Sequence, residues 1–493
     1  MSLLHRADAE LIEQIVVFEP LPEIGPGEPY GPDLATNLLN IPAGRMSAFA
    51  ENRGHFLEWV RAQGDRLLAK YGVKHLDAET FLPRPMFGEY LQFVWGSLLE
   101  QAAAMGIQVK CVHERVTRIE REAVSGVAIL HTATDAVSAH NLVLCNGNLA
   151  STAYAELQGL PGYFHSPYPV SALVTRIPEE AAVLVIGSSL SAVDAIVGLR
   201  EAGHAGQITA VSRNGRLPSV RSVVVPDQPI TSPTVEELAA CVHDPAVGLT
   251  LEDLFGLLSE RVLAAGGALD VKEFLGLNAE LRVSLDHEIR AASEDSRVWQ
   301  GVAISLNEVV EHAWNMMPDA ERQRLYKIWR PIWMNRRATF PLVNAIKIRR
   351  YLEAANFDIL EAGEGLQITA AAGGGFDVRI QARGNHESAL AVDYVVNATG
   401  MSTDVTRATD GLVVALLESG MAVPDPYGGL RLDFDTGCLI DAQGTVQQDI
   451  SALGSLATGT YFWTMSLDVN ARLALEQARR LVTSLIPAGQ TAV

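Results

Sequence analysis

The stretch Val16 to Ser47, VVFEPLPEIGPGEPYGPDLATNLLNIPAGRMS, decides the fold. It reads as the second half of a nucleotide-binding βαβ unit. A strand over Ile15–Phe18 ends in Glu19, and an acid at that point accepts both ribose hydroxyls of an adenine dinucleotide. A solvated acid at a strand end would look the same, but the glycines and prolines after Glu19 favour the ribose. Gly25, Gly27 and Gly44, with the prolines around them, put backbone N–H groups into loops that can meet phosphate or flavin. Arg45, directly after Gly44, is placed to pair with an oxygen of either. About 20 residues before such an acid a strand should run into a G-x-G-x-x-G turn. Met1 instead falls inside what reads as the helix of the unit. The first strand and its glycine loop are therefore expected to be missing from this sequence, with the natural start about 20 residues earlier.

Working outward, a chain of 493 residues is too long for one core. Apolar residues make up 48% and the mean hydropathy is +0.14, which describes a globular protein. The formal net charge of -20 argues against nucleic acid and anionic membrane as partners, since both need a basic face. Cys111, Cys145, Cys241 and Cys438 show no C-x-x-C spacing, which disfavours disulfide frameworks and zinc ribbons. The charged N-terminus is no signal peptide, and no run reaches the ~18 apolar residues of a membrane span. The chain reads as a cytoplasmic enzyme.

Leu91–Gly106 reads as an amphipathic helix. Ile107–Val116 and Val127–Thr134 read as antiparallel strands around a Ser125-Gly126 turn, and Asn141–Gly147 as a buried strand ending in a glycine turn. The order recurs downstream: Phe357–Leu360, Leu366–Ala370 and Phe376–Gln381 form a meander, followed by a strand ending at Gly400. Two nucleotide-binding domains of common design follow from the repeat. Between them Ala181–Gly187 is a continuous apolar run, as in a strand buried on both faces. A helix over Ser188–Gly203 and a strand over Gln207–Val211 complete a second βαβ unit. From Thr234 to Glu353 apolar residues fall at i, i+3, i+4, with helices predicted at Leu251–Ala265, Val271–Ala292, Ala303–Met317 and Ala320–Trp329. A strand at Ile450–Leu453 and a helix at Leu467–Leu485 end the chain. The expected architecture is α/β: two dinucleotide-binding, Rossmann-like domains with β-meanders and a helical insertion. The first domain covers residues 1–165, the second 166–430 with its insertion at about 234–353, and residues 431–493 return to the first.

In the second unit, Gly187, Ser188, Ser189 and Ser191 occupy the phosphate loop. Gly187 permits the tight turn, a small Ser189 lets backbone approach pyrophosphate, and Ala192 permits close helix–strand packing. Arg213 and Arg216 stand where an acid would select NAD, and two cations there favour the 2′-phosphate of NADPH. Solvated loop arginines remain the plain alternative. Trp329–Arg337, WRPIWMNRR, is the densest aromatic and basic patch in an acidic chain. It presents Arg336 and Arg337 to an anionic substrate or a nucleotide phosphate, or it is a helix end with Trp inside and Arg outside. Neither metal-binding histidine spacing nor G-x-S-x-G occurs.

The block E-P-x-P-x-I-G-x-G-x-x-Y…L-L-N-I-P-A-G-R-M-S-A-F, with Phe81–Leu91 and V-L-V-I-G-S-S-L-S-A-V-D, resembles FAD/NAD(P)-binding flavoproteins, in particular the FAD-dependent urate hydroxylase and aspartate N-monooxygenase-like proteins. The resemblance implies that the first domain holds FAD and the second NADPH, and that substrate is hydroxylated by dioxygen through a hydroperoxyflavin. By the same resemblance Glu19 binds the adenosine ribose and Val116 meets adenine. Arg45 and Met46 lie near the flavin, Gly147 and Gly400 end the strands linking the domains, and Gly454 with the start of the last helix faces the flavin ring. The chain departs from the family's pattern at its missing first glycine loop, at Ser189, and around Trp333, where Asn335, Arg336 and Arg337 replace histidines. The expected function is NADPH-dependent hydroxylation of a small polar or anionic molecule. Flavin-dependent NADPH oxidation without oxygenation, and a degenerate non-catalytic flavoprotein, are the other readings.

Overall fold

The computed structural model describes residues 11–269, 271–275, 280–382 and 386–486. The chain opens with β1 (Gln14–Phe18), ending at Glu19 as the sequence predicts. The next long element is a helix over Arg84–Ala104, not Leu91–Gly106. Its first turns hold the buried face, Pro85, Met86, Phe87 and Tyr90, with Pro inside the first turn where a missing N–H costs nothing. The predicted Ile107–Val116 strand is shorter, Gln108–Val112, and is not the antiparallel partner of the strand within Val127–Thr134. β2 (Gln108–Val112) pairs parallel with β1, whereas β3 (Arg118–Arg121) pairs antiparallel with β4 (Ala128–His131), and β4 with β5 (Ala136–Ala139). β6 (Leu142–Leu144) then buries Leu142 and Leu144 but leaves Val143 at 40% exposure.

The second unit is a five-stranded parallel sheet. It takes β7 (Tyr163–Phe164), β8 (Val183–Ile186), β9 (Ile208–Ser212) and β10 (Phe357–Glu361), then, after a meander of β11 (Gly365–Ala370), β12 (Phe376–Ala382) and β13 (His386–Val392), β14 (Tyr394–Asn397). Strand order is β10-β9-β8-β14-β7, so the fully buried β8 lies at the centre. β10 belongs to this sheet and not to the meander, because it lies parallel to β9 from Phe357↔Ile208 to Glu361↔Ser212. Between β9 and β10 runs the helical insertion. The predicted Ala303–Met317 helix is broken into Val298–Ser305, a 3-10 turn and Val310–Met316. The predicted Val271–Ala292 helix resolves into Val271–Leu275 and Leu281–Glu294, with residues 276–279 outside the described residues, as is Met1, where the sequence reads as helix. A π-helical turn over Leu325–Trp329 leads into the helix Arg330–Arg337.

The chain returns to the first unit with β15 (Cys438–Ile440) and β16 (Val446–Ala452), and closes with the helix Leu467–Leu485. β16 pairs parallel with β6, from Ile450↔Leu142 to Ala452↔Leu144. Val405, Leu412, Val413 and Leu416 already pack with Ile119, Leu130 and Leu144, so the first unit's core takes in chain ahead of the 431 boundary expected from the sequence. Among the described residues β1–β2 and β6–β16–β15 are separate sheets, and no strand joins β1 to β6.

Candidate cofactor and substrate site

The second unit's phosphate loop is built by backbone geometry. Gly187 has φ +122°, and a Cβ there would stand 2.5 Å from the carbonyl oxygen of Ala398, so β8 and β14 close on each other only with glycine at this point. Ser188 donates to the Arg216 carbonyl at 2.5 Å and lies 2.8 Å from Ser212 Oγ, fastening the loop to the end of β9. Ser189 is the N-cap of the helix Leu190–Glu201, whose N-terminus favours an anion. Ser191 follows in the first turn of that helix, half-buried. Arg213 and Arg216 are exposed at the end of β9. A dinucleotide phosphate fits this combination of open glycine turn, helix N-terminus and exposed cations.

In the first unit Glu19 follows β1, with its N–H bonded to Val112 and its carboxylate accepting from Leu21 N–H at 2.9 Å. Val116 packs with Phe18 against the same core. The glycines of the opening stretch meet protein at least as closely as they could meet a ligand. A Cβ on Gly25 (φ +118°) would lie 3.1 Å from Leu91 O, and Gly44 uses its N–H on Ala78 O at 2.9 Å. Gly27 has φ +57° with only Pro29 near its Cβ position. Arg45 ends a 3-10 turn and lies 3.4 Å from Glu79 on the surface, while Met46 is buried. A FAD adenosine ribose fits Glu19; a first glycine loop for its pyrophosphate is not among the described residues.

The strand ends of both units come together. Gly147, after β6, accepts from the Ser455 hydroxyl beside Gly454, and Leu453 N–H bonds Leu144 O at 2.9 Å. From the second unit, Ser402 N–H bonds Leu149 O at 3.2 Å and Thr399 Oγ1 lies 3.1 Å from Ser151 Oγ, on either side of Gly400. Gly147, Gly400 and Gly454 all have positive φ. The last helix begins at Leu467, as expected, with Asp468 in its first turn.

Arg336 and Arg337 are 7% and 6% exposed, the reverse of the arrangement with Arg outside, and Trp333 is only half-buried. Arg336 donates to Glu288 at 2.7 Å, as does Arg297 at 2.6 Å. Burial would raise the Glu288 carboxyl, but the Arg297 hydrogen bond and the charges of Arg297 and Arg336 outweigh it and hold it at about 2. Arg337 lies over the Trp463 ring, 5.6 Å from its centroid, and donates to Asn307 Oδ1 at 2.9 Å. Sequence reading missed Arg221, 7% exposed, whose signal is a lone cation beside the valines of SVRSVVV. A cleft of about 230 Å³ opens nearby between Arg45, Ser47 and Arg53 of the first unit, Glu308 of the insertion and Asp468 of the last helix. Among the described residues no cluster of His, Cys, Asp or Glu is placed to hold a metal, and no helix is long and apolar enough to cross a membrane.

The parallel sheets, their glycine-ended strands and the crossing between them define the FAD/NAD(P)-binding, Rossmann-like fold. Residues 1–149 match the family described as FAD-NAD(P)-binding. An uncharacterized protein of Escherichia coli (strain K12), YdhS, is 24% identical over 396 residues, spanning 71% of this chain and 72% of that one. The reduced form of ornithine hydroxylase from Pseudomonas aeruginosa superposes with a TM-score of 0.57 at 16% identity, over 98% of this chain and 95% of its own. The ornithine N-hydroxylase of Kutzneria sp. 744, solved with reduced FAD, NADP+ and L-ornithine, gives 0.56 at 15%, over 98% and 95%. A cadaverine monooxygenase from Erwinia amylovora bound to FAD gives 0.52 at 12%, over 97% and 91%. At these identities the likeness is one of fold.

Proposed function

We propose that the protein is a FAD-dependent, NADPH-using monooxygenase that hydroxylates a small polar or anionic molecule with dioxygen. The observation that carries this reading is the junction where Leu149 and Ser151, just past the Gly147–Ser455 contact of the first unit, meet Thr399–Ser402 of the second. Strand ends at such a crossing are where this class of fold places its ligands. The solved ornithine hydroxylases and cadaverine monooxygenase of like fold support the reaction class.

In this reading Glu19 accepts the ribose hydroxyls of FAD, Val116 lies against adenine, and Arg45, Met46 and Gly454 border the flavin. Gly187 and Ser189 admit the NADPH pyrophosphate to the helix N-terminus, and Arg213 and Arg216 take the 2′-phosphate. The flavin supplies the two-electron chemistry that joins NADPH oxidation to dioxygen. The protein's part is to hold the two cofactors at one junction.

The test is direct. Protein purified with flavin should be yellow and oxidise NADPH, with oxygen uptake rising on addition of substrate and a hydroxylated product forming. NADPH oxidation that needs an artificial acceptor would identify a reductase instead, and colourless, inert protein a non-catalytic one. Arg213→Ala should weaken NADPH at least tenfold and NADH little; equal effects would refute the 2′-phosphate assignment.

A further inference from the structure

Four arginines are buried among the described residues: Arg221, Arg297, Arg336 and Arg337. Arg297 and Arg336 share Glu288. Arg221 and Arg337 have no carboxylate in ion-pair contact among the described residues, and the Nε of each is without a hydrogen-bond partner. They are brought together by the backbone. Ser219 N–H bonds Asn335 O at 2.9 Å, Arg221 N–H bonds Phe340 O at 2.9 Å, and Asn335 Nδ2 bonds Leu217 O at 2.8 Å. This lacing lays the Arg221 segment along the end of the helix that carries Arg337. Desolvation first, then the neighbouring charges of Arg337 and Arg45, push the Arg221 guanidinium down to about 9.

A guanidinium does not give up its proton to escape such a position, and the carboxylates that act on the pair, Glu79 on Arg221 and Asp468 on Arg337, do so without ion-pair contact, which leaves the forked donors open to an anion from outside. Other groups around the pair are also unmet. Trp333 Nε1 and Thr339 Oγ1 are buried without partners, and Trp333 stands edge-on to Trp463, the ring beneath Arg337. The result is a set of donors on three segments, with Arg45 at the first unit's edge. A planar two-oxygen anion matches the forked donors of two guanidiniums.

We propose that Arg221 and Arg337 bind a carboxylate of the substrate, which makes this a hydroxylase of small carboxylic acids. The assignment rests on the oxygenase reading above for the word substrate, and on the unpaired guanidiniums alone for the anion. The dinucleotide phosphate has its own cations, Arg213 and Arg216, at the end of β9. The pair Arg221 and Arg337 lies instead where the insertion meets the first unit, with Arg337 on Asn307 and the Trp463 ring and Arg221 within reach of the Arg45 charge.

The probe is succinate, titrated into flavin-loaded protein and followed by tryptophan fluorescence, with Trp463 and Trp333 as reporters, and by melting temperature. Putrescine and inorganic phosphate are the comparisons. Succinate should quench the fluorescence and raise the melting temperature, and putrescine should do neither. Arg221→Gln and Arg337→Gln should each weaken succinate at least tenfold, with Arg221→Lys in between. Without ligand, Arg221→Met should melt no lower than wild type, because it removes an unpaired buried charge; a clear loss of melting temperature would mark Arg221 as structural and overturn the proposal. Equal succinate binding in wild type and variants, or none in wild type, would overturn it too. So would loss of phosphate and NADPH binding together in the Arg221 variants, which assigns the pair to the nucleotide. Succinate binding without any substrate-stimulated oxygen uptake would refute the oxygenase reading and leave the anion site standing. Hydroxylation of an uncharged substrate unaffected by Arg221→Gln would do the reverse.

Discussion

Arg336 and Arg337, adjacent on one helix, meet different surroundings once buried: Arg336 donates to Glu288 at 2.7 Å, and Arg337 finds an amide and an indole face. Breaking the first arrangement removes the carboxylate that Arg297 and Arg336 share in the interior, a loss of about 3–5 kcal/mol for Glu288→Gln. The pH dependence has a definite sign. The folded Glu288 carboxyl is held at about 2, below its ordinary value of 4.5. Its contribution is therefore fully present above pH 4.5 and lost as pH falls toward 2. In urea unfolding, the stability gap between wild type and Glu288→Gln should be widest at pH 7 and shrink steadily below pH 4.5; a gap that does not change with pH would contradict the assignment. The residues of this network were legible in the sequence only as charges. Burial is decided by segments far apart in the chain, so neither Arg221 nor the pairing of Arg336 could be read locally.

At the scale of elements, the strand ends of the second unit carry two glycines for different reasons, Gly187 after β8 and Gly400 after β14. Gly187 combines φ +122° with a Cβ position 2.5 Å from Ala398 O, whereas Gly400 has φ +89° and open space. Gly187→Ala should cost about 1–3 kcal/mol and displace the loop. Gly400→Ala should cost only the backbone term, about 1 kcal/mol. Melting temperatures in the order wild type, Gly400→Ala, Gly187→Ala, with NADPH binding weakened most in the last, are the expected result; the opposite order would place the close approach elsewhere. β8 is plain in the sequence because a strand buried on both faces is an unbroken apolar run, Val183–Ile186. β10 is not, because alternation alone does not distinguish a meander strand from one that pairs with β9 across the whole insertion. The helix Arg84–Ala104 reads short from sequence because Pro85 and Gly88 resemble a loop. Gly88 is required instead by Tyr30, whose carbonyl oxygen lies 2.0 Å from where its Cβ would be.

At the scale of the molecule, the two units differ in how their segments are distributed along the chain. The second sheet is complete once β14 ends at Asn397. The first unit's core instead joins Ile119, Leu130 and Leu144 to Ile450, Leu456 and Leu473, and β6 has no sheet partner among the described strands until β16 exists. During synthesis the earlier-made unit must therefore wait for the later-made one. Contacts so remote in sequence form slowly, because the loop between them has to be ordered first. In refolding followed by pulsed hydrogen exchange, the amides of β8, β9 and β14 should be protected before those of β6 and β16; simultaneous protection would show that the units fold as one. A nascent chain of this protein thus exposes the apolar faces of its first unit for nearly the whole of translation, which makes that unit the segment most dependent on chaperones and most sensitive to a pause late in the message.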